Sequence, residues 1–198
     1  EASTQTYLDS HPQCNVIIWS WCGQVSSASE ADIDLYLSLM NGLEMDYPNV
    51  QFVYMTGHLD GGGETGNLHL RNEQIRNYCI ANDKILYDFA DIESYDPDHL
   101  VNYMPLLAND YCAYDSDSNG SRDRNWASDW QNSHTEGVDW YTCSAAHSLP
   151  LNGNQKAYAA WWLWAKLAGW SECADAPSDL TAEYNFDVYH GYSGIDLT

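Results

Sequence analysis

The sequence predicts an α/β fold in three layers, a parallel sheet with helices on both faces. Three observations carry this reading. Short runs of β-branched and aromatic residues recur at 15–20, 50–56 and 84–90, stretches with helical spacing separate them, and the chain's 198 residues suffice for one full hydrophobic core. Strands separated by single helices of this length form right-handed βαβ units, which build a parallel sheet.

The elements follow in order. Asn15-Val-Ile-Ile-Trp-Ser20 is a buried-strand run that ends in a Trp-Cys-Gly-Gln turn. Ser29-Glu-Ala-Asp32 has the form of a capping box with Asp in the Glu place. Ile33, Tyr36, Leu37, Met40 and Leu43 then recur at helical spacing until Pro48. The strand at 50–56 runs into Gly57-His-Leu-Asp-Gly-Gly-Gly63, a loop with enough glycine to let backbone approach a ligand. Residues 68–82 read as a helix with Leu68, Ile75, Cys79 and Tyr78 inward, and 84–90 as the third strand. Residues 96–142 lack periodicity, and so long a loop inside a domain is functional or pinned. Residues 152–168 are apolar nearly all round, which predicts a buried helix ending before Gly169. This places one domain at 1–173, with a calcium-loop insertion near 110–130, and a linker or tail at 174–198.

Composition narrows the partners. Seven Lys+Arg stand against 29 Asp+Glu, a formal charge of −22. Such a surface repels nucleic acid and anionic membrane alike. The longest apolar run, 157–170, is interrupted by Lys166 and too short to cross a bilayer. Nine Trp and 15 Tyr beside abundant neutral polar groups suit an uncharged polar ligand, although aromatic rings mostly pack cores. Six cysteines without a CxxC pair read as a disulfide set in a secreted, extracellular protein. Fifteen complete pairings are open; Cys14 with Cys22 and Cys112 with Cys143 are two guesses.

Ligands bind at the carboxyl ends of parallel strands, which directs attention to 20–24, 56–60 and 88–91. Outside these tips, the sharpest local motif is Asp115-Ser-Asp117-Ser-Asn119-Gly120-Ser121-Arg-Asp123. Oxygen-bearing residues alternate, with Gly at the sixth position, as in a calcium loop. The twelfth position is Trp126 rather than a bidentate Glu, so a further ligand must come from Asp129, Asp110, Glu136 or water. A solvated Asx-rich turn is the plainer alternative. Calcium here would be structural, neutralising carboxylates in a segment with no other reason to be ordered.

Cys143-Ser-Ala-Ala-His147-Ser-Leu-Pro150-Leu-Asn152-Gly153 places a His in the turn before the last helix. This segment resembles the one that carries the catalytic His in the SGNH (GDSL-like) hydrolase superfamily. Residues 16–24, Val-Ile-Ile-Trp-Ser-Trp-Cys-Gly-Gln, are similar to that family's strand and Gly-x-Asn-Asp block. The wording WSWCGQ, YMTGHLDG and CSAAH resembles a group of exported bacterial proteins in this superfamily, over roughly residues 1–170. The resemblance implies ester hydrolysis of the carbohydrate-esterase type. His147 would be the general base, Gln24 the oxyanion donor, and Trp21, His58, Asp60 and Ser144 the cleft that receives an acetylated glycan.

Three positions depart from the family pattern. The nucleophile block on the first strand has no counterpart, so the sheet lacks its first strand or strands and the Ser would come from a missing N-terminal segment. Ser144 stands where an acid precedes the His, which leaves Asp88 and Asp91 as substitutes, and Gln24 replaces Asn. Cys22 with His147 is an alternative nucleophile and base. A metal hydrolase built on His58, Asp60, His69 and His147 lacks any HExxH spacing. The competing class is non-catalytic: a calcium- and disulfide-stabilised extracellular module of the same fold that binds glycans or a neighbouring module.

Overall fold

A computed structural model describes residues 1–170; the expected linker or tail at 174–198 and Cys173 lie outside the described residues. The three predicted strands form one parallel sheet: β1 (Val16–Ile18), β2 (Gln51–Met55) and β3 (Ile85–Tyr87), in the order β1-β2-β3. Ile17 sits opposite Phe52, and Tyr54 opposite Leu86.

The period-two alternation of the central strand divides the interior. Phe52 and Tyr54 point into one core with α2 (Glu30–Asp46) and α3 (Asn67–Ala81), beside Leu37, Met40, Ile75 and Leu86. Val53 and Met55 point the other way, against Tyr87 and the Ala159 and Leu163 face of α6 (Pro150–Leu167). β2 is therefore buried on both sides, which explains its unbroken apolar run. The capping box is present in full: Ser29 Oγ accepts from the Asp32 N–H, and the Asp32 side chain accepts from the Ser29 N–H.

Three expectations need correction. First, α6 is not buried all round. Trp161 is 74% exposed, Trp164 41% and Tyr158 37% among the described residues, because the buried stripe runs through Leu151, Gln155, Ala159 and Leu163, of which Ala159 and Leu163 pack against the sheet. Second, the described cysteines Cys14, Cys22, Cys79, Cys112 and Cys143 are all free thiols. Neither guessed pairing is formed. Cys112 is buried in a second core, with its sulfur 3.6 Å from Ser148 Oγ. Cys143 instead lies on an exposed turn, its sulfur directed at the Pro150 carbonyl. The Cys14 thiol donates to the Val16 carbonyl at 3.4 Å, and Cys22 is an exposed free thiol. Third, a helix not foreseen, α1 (Ala2–Ser10), opens the chain and inserts Leu8 into the first core.

The aperiodic region is pinned by packing. α4 (Phe89–Ile92), the two-residue strands β4 (Ala113–Tyr114) and β5 (Arg124–Asn125), and α5 (Trp126–Ser133) surround Trp126, Tyr103, Cys112 and Trp130. These elements are too short for a sequence period to register.

Candidate functional site at the strand tips

The carboxyl end of β2 is fixed by a polar clamp. Gly57 has no room for a side chain, since a Cβ there would lie 2.8 Å from Val25 Cβ. Its N–H donates to Asn72 Oδ1 at 2.8 Å, and Asn72 Nδ2 returns a hydrogen bond to its carbonyl at 3.0 Å. His58 follows directly. Its Nδ1 is 3.1 Å from the Leu59 carbonyl oxygen, and a carbonyl only accepts. Nδ1 therefore carries the proton of the neutral ring and Nε2 keeps its lone pair. That free nitrogen faces the β1 turn, where a Cβ on Gly23 would lie 3.9 Å from it.

A carboxylate stands behind the imidazole. Asp110 Oδ2 is 3.9 Å from His58 Nδ1, too far for a hydrogen bond but within ion-pair reach once the ring is protonated. Asp110 is itself held through its backbone, its N–H donating to the Leu59 carbonyl at 2.9 Å. Its own carbonyl faces Asn152 Nδ2 at 3.4 Å, and the same nitrogen donates to Ser148 Oγ at 2.6 Å. Asn152 is fully buried, and its Oδ1 has no hydrogen-bond partner among the described residues. These contacts bring the β1 turn, the end of β2 and the turn before α6 to one rim.

The other predicted site residues divide. Gln24 is exposed at this rim, but its Oε1 accepts the Cys22 N–H at 2.8 Å, so only its amide nitrogen remains to donate outward. His147 is exposed with φ +57°, and no described residue engages its ring in a hydrogen bond or ion pair. Ser144 is exposed on the same turn. Trp21 packs edge-on against Trp19 and Tyr36, at 5.0 and 4.8 Å, and supports the first core. No Ser, Thr or Cys side chain is hydrogen-bonded to His58 or His147 among the described residues. Asp88, the proposed substitute acid, is committed elsewhere: it accepts from Thr56 Oγ1 at 2.9 Å and from Arg76 Nη2 at 2.8 Å, and it caps α4.

Beside this rim lies a cavity of about 190 Å³. Asp60 and the Gly61–Gly63 loop wall one side, α3 and α4 the others. Of the predicted candidates Asp60, His69 and Asp91 line it, whereas Gln24, His58 and His147 do not, so those three do not share this hollow. Sequence reading missed Asn72 and named Asp110 only as a candidate calcium ligand, not as a neighbour of His58. Asn72 carried a signal, a polar residue at an inward position between Leu68 and Ile75; Asp110 lay in the aperiodic stretch, where nothing local points to His58.

The acidic loop is already ordered by its own backbone. Asp115, Asp117 and Asp123 each place an oxygen within 4.8 Å of the others. Burial alone would raise the Asp115 carboxyl, but hydrogen bonds from the Gly120 and Asn119 N–H groups hold it below the usual carboxylate range. The Ser116 N–H and hydroxyl do the same for Asp123. Asn119 Oδ1 accepts from the Ser121 N–H at 2.8 Å. The suggested outer ligands are engaged elsewhere: Asp129 by Arg124, Asp110 facing His58, and Glu136 accepting from Thr142. The three clustered carboxylates suit a hard divalent cation.

Fold and site together define an α/β protein with a polar rim at the tips of a parallel sheet. No family model, curated protein or solved structure matches the chain. Among the described residues no helix is long and apolar enough to cross a membrane.

Proposed function

We propose that the chain is an exported SGNH-like hydrolase domain that cleaves esters, with its reaction centre at the His58 rim and an acetylated glycan as the substrate class. The observation that supports it is the state of His58: Nδ1 donates to a backbone carbonyl, Nε2 is free toward the Gly23 turn, and Asp110 stands ready for the cation. In this reading Nε2 removes a proton from a hydroxyl nucleophile, water in the simplest case. The new O–C bond forms as the carbonyl pair moves onto oxygen, where the Gln24 amide nitrogen is the donor at hand. Collapse breaks the C–O bond to the alcohol, which leaves with the proton from His58. His147, the base implied by the family resemblance, has no carboxylate paired with it among the described residues and takes a substrate-contact role. Calcium in the Asp115–Asp117–Asp123 loop is structural in this proposal.

The test is turnover of a small acetyl ester by the native chain and by Asp110→Asn, with folding checked by circular dichroism. The proposal expects turnover that falls at least tenfold in the variant; a native chain with no turnover overturns it. A second reading, a glycan-binding module without chemistry, is favoured by the lack, among the described residues, of a side-chain hydroxyl or thiol bonded to either imidazole. It predicts no ester turnover together with retained binding of acetylated glycans.

A further inference from the structure

We propose that the open edge of β1 is a docking surface for a fourth, parallel strand supplied by this chain's own residues 183–189, which lie outside the described residues. The surface goes beyond the hydrolase reading and does not depend on it.

The edge offers both backbone and side chains. Among the described residues β1 pairs with β2 alone. The Asn15 carbonyl accepts from the Gln51 N–H at 2.8 Å, and the Trp19 N–H donates to the Val53 carbonyl at 3.3 Å. Odd-numbered residues thus turn their backbone groups toward β2, and those of Val16 and Ile18 point outward. The Val16 carbonyl accepts from the Cys14 thiol, while the Ile18 N–H and carbonyl meet no partner among the described residues. Ile18 is 39% exposed and Trp19 38%, whereas Leu86 and Tyr87 of β3, at the other edge of the sheet, are buried. An apolar edge with unpaired backbone groups is a template for another strand.

Topology selects this edge for the chain that follows α6. α2 and α3, which connect β1 to β2 and β2 to β3, pack on one face of the sheet, and α6 packs on the other. Crossovers between parallel strands are right-handed. Helices on the first face carry the chain from β1 toward β3, so a helix on the opposite face must carry it back, and the first vacant place in that direction lies beyond β1. α6 also delivers the chain to the correct end. Leu151, near its start, packs with Leu59 and Ala90 at the strand tips, while Leu163 and Leu167 belong with Val16 and Ile85, the first residues of β1 and β3. A strand that begins there runs parallel to β1.

The segment has the pattern and the reach. Tyr184, Phe186 and Val188 alternate with Asn185 and Asp187, the period of a strand with one apolar face. Residues 171–182 can extend about 40 Å, against a sideways path of roughly three strand spacings of about 4.8 Å.

The test is amide hydrogen exchange and NOE spectroscopy on the full chain. The Ile18 amide is expected to exchange at least a hundredfold more slowly than an unstructured amide. NOEs should join Val16 and then Ile18 to successively later residues within 183–189. Phe186→Pro and Asp187→Pro each remove one N–H; alternate N–H groups face the neighbouring strand, so one of the two variants deletes a bond to β1 in either register. That variant should speed Ile18 exchange at least tenfold and leave the Val53 amide, in the central strand, unchanged as the check on folding. A fast Ile18 amide in the native chain, protection that survives both prolines, or a proline response in β3 instead of β1 overturns the proposal. So does an antiparallel NOE order, and so does protection lost on dilution, which marks a second copy at the edge.

Discussion

The guanidinium of Arg122 lies across the backbone of Gly61. A Cβ on Gly61 would stand 1.5 Å from Arg122 Nη2, and Gly61 adopts φ +83°. Arg122 Nε meanwhile donates to the Leu107 carbonyl at 2.7 Å. The acidic loop, which carries Arg122 between Ser121 and Asp123, thus braces the glycine loop that walls the cavity. Two motifs that look independent in the sequence form one unit.

Gly61→Ala should therefore cost more than an ordinary loop substitution. The left-handed backbone alone costs about 1–2 kcal/mol for a residue with a Cβ, and the displaced arginine adds to it. Chemical denaturation is expected to show a loss of at least that size; a loss under about 0.5 kcal/mol contradicts the brace.

The Arg76–Asp88 pair holds the end of β3 to α3. Asp88 is buried and also accepts from Thr56 and the Asp91 N–H. Arg76→Met would leave that carboxylate buried without its counter-charge, at a cost of about 3–5 kcal/mol. Asp88→Asn with Arg76→Met together should recover part of the loss. A single variant as stable as the native chain removes this part of the account.

The loop at 115–123 has a pH signature. Asp115 and Asp123 have carboxyls lowered in the folded state. Their contribution is present above the ordinary unfolded value, about 3.9, and is lost as pH falls through the lower folded values. The Gly120 amide should hold its shift at pH 5 and move only at pH below about 4. In parallel, millimolar calcium should raise the melting temperature and a chelator should reverse it; no response to calcium leaves the loop a self-satisfied Asx turn.

The thiols divide by burial. Burial pushes the Cys79 and Cys112 thiols up to about 12, while Cys22 and Cys143 are exposed. A thiol-specific chromogenic reagent should label Cys22 and Cys143 in the native protein and reach Cys79 and Cys112 only on unfolding. If Cys22 and Cys143 resist labelling until a reductant is added, they are oxidised in the native molecule.

Much of the sheet was legible because β2 is buried on both faces and Ser29–Asp32 is a self-contained cap. The 110s were not, because Cys112 and Trp126 acquire their places through a core that gathers Leu59, Ala90, Tyr103 and Ala108 with α5 and Leu151 of α6, with no local period to reveal it. His58 was visible as a strand-tip histidine. Its setting was hidden, because the carboxylate 3.9 Å from its Nδ1 belongs to Asp110, far along the chain, while the carbonyl it faces is that of the adjacent Leu59. The outward face of α6 was misread for a related reason: a run of Trp and Ala names no side, and only contact with the sheet decides which residues are covered.

The most direct test is side-by-side steady-state kinetics of His58→Ala and His147→Ala on one small acetyl ester. Loss of a general base lowers turnover by about 100- to 10,000-fold. The prediction is a fall of that order in kcat/KM for His58→Ala, with His147→Ala within about tenfold of the native chain. Full activity in His58→Ala, or the large loss appearing in His147→Ala alone, contradicts the assignment of the base.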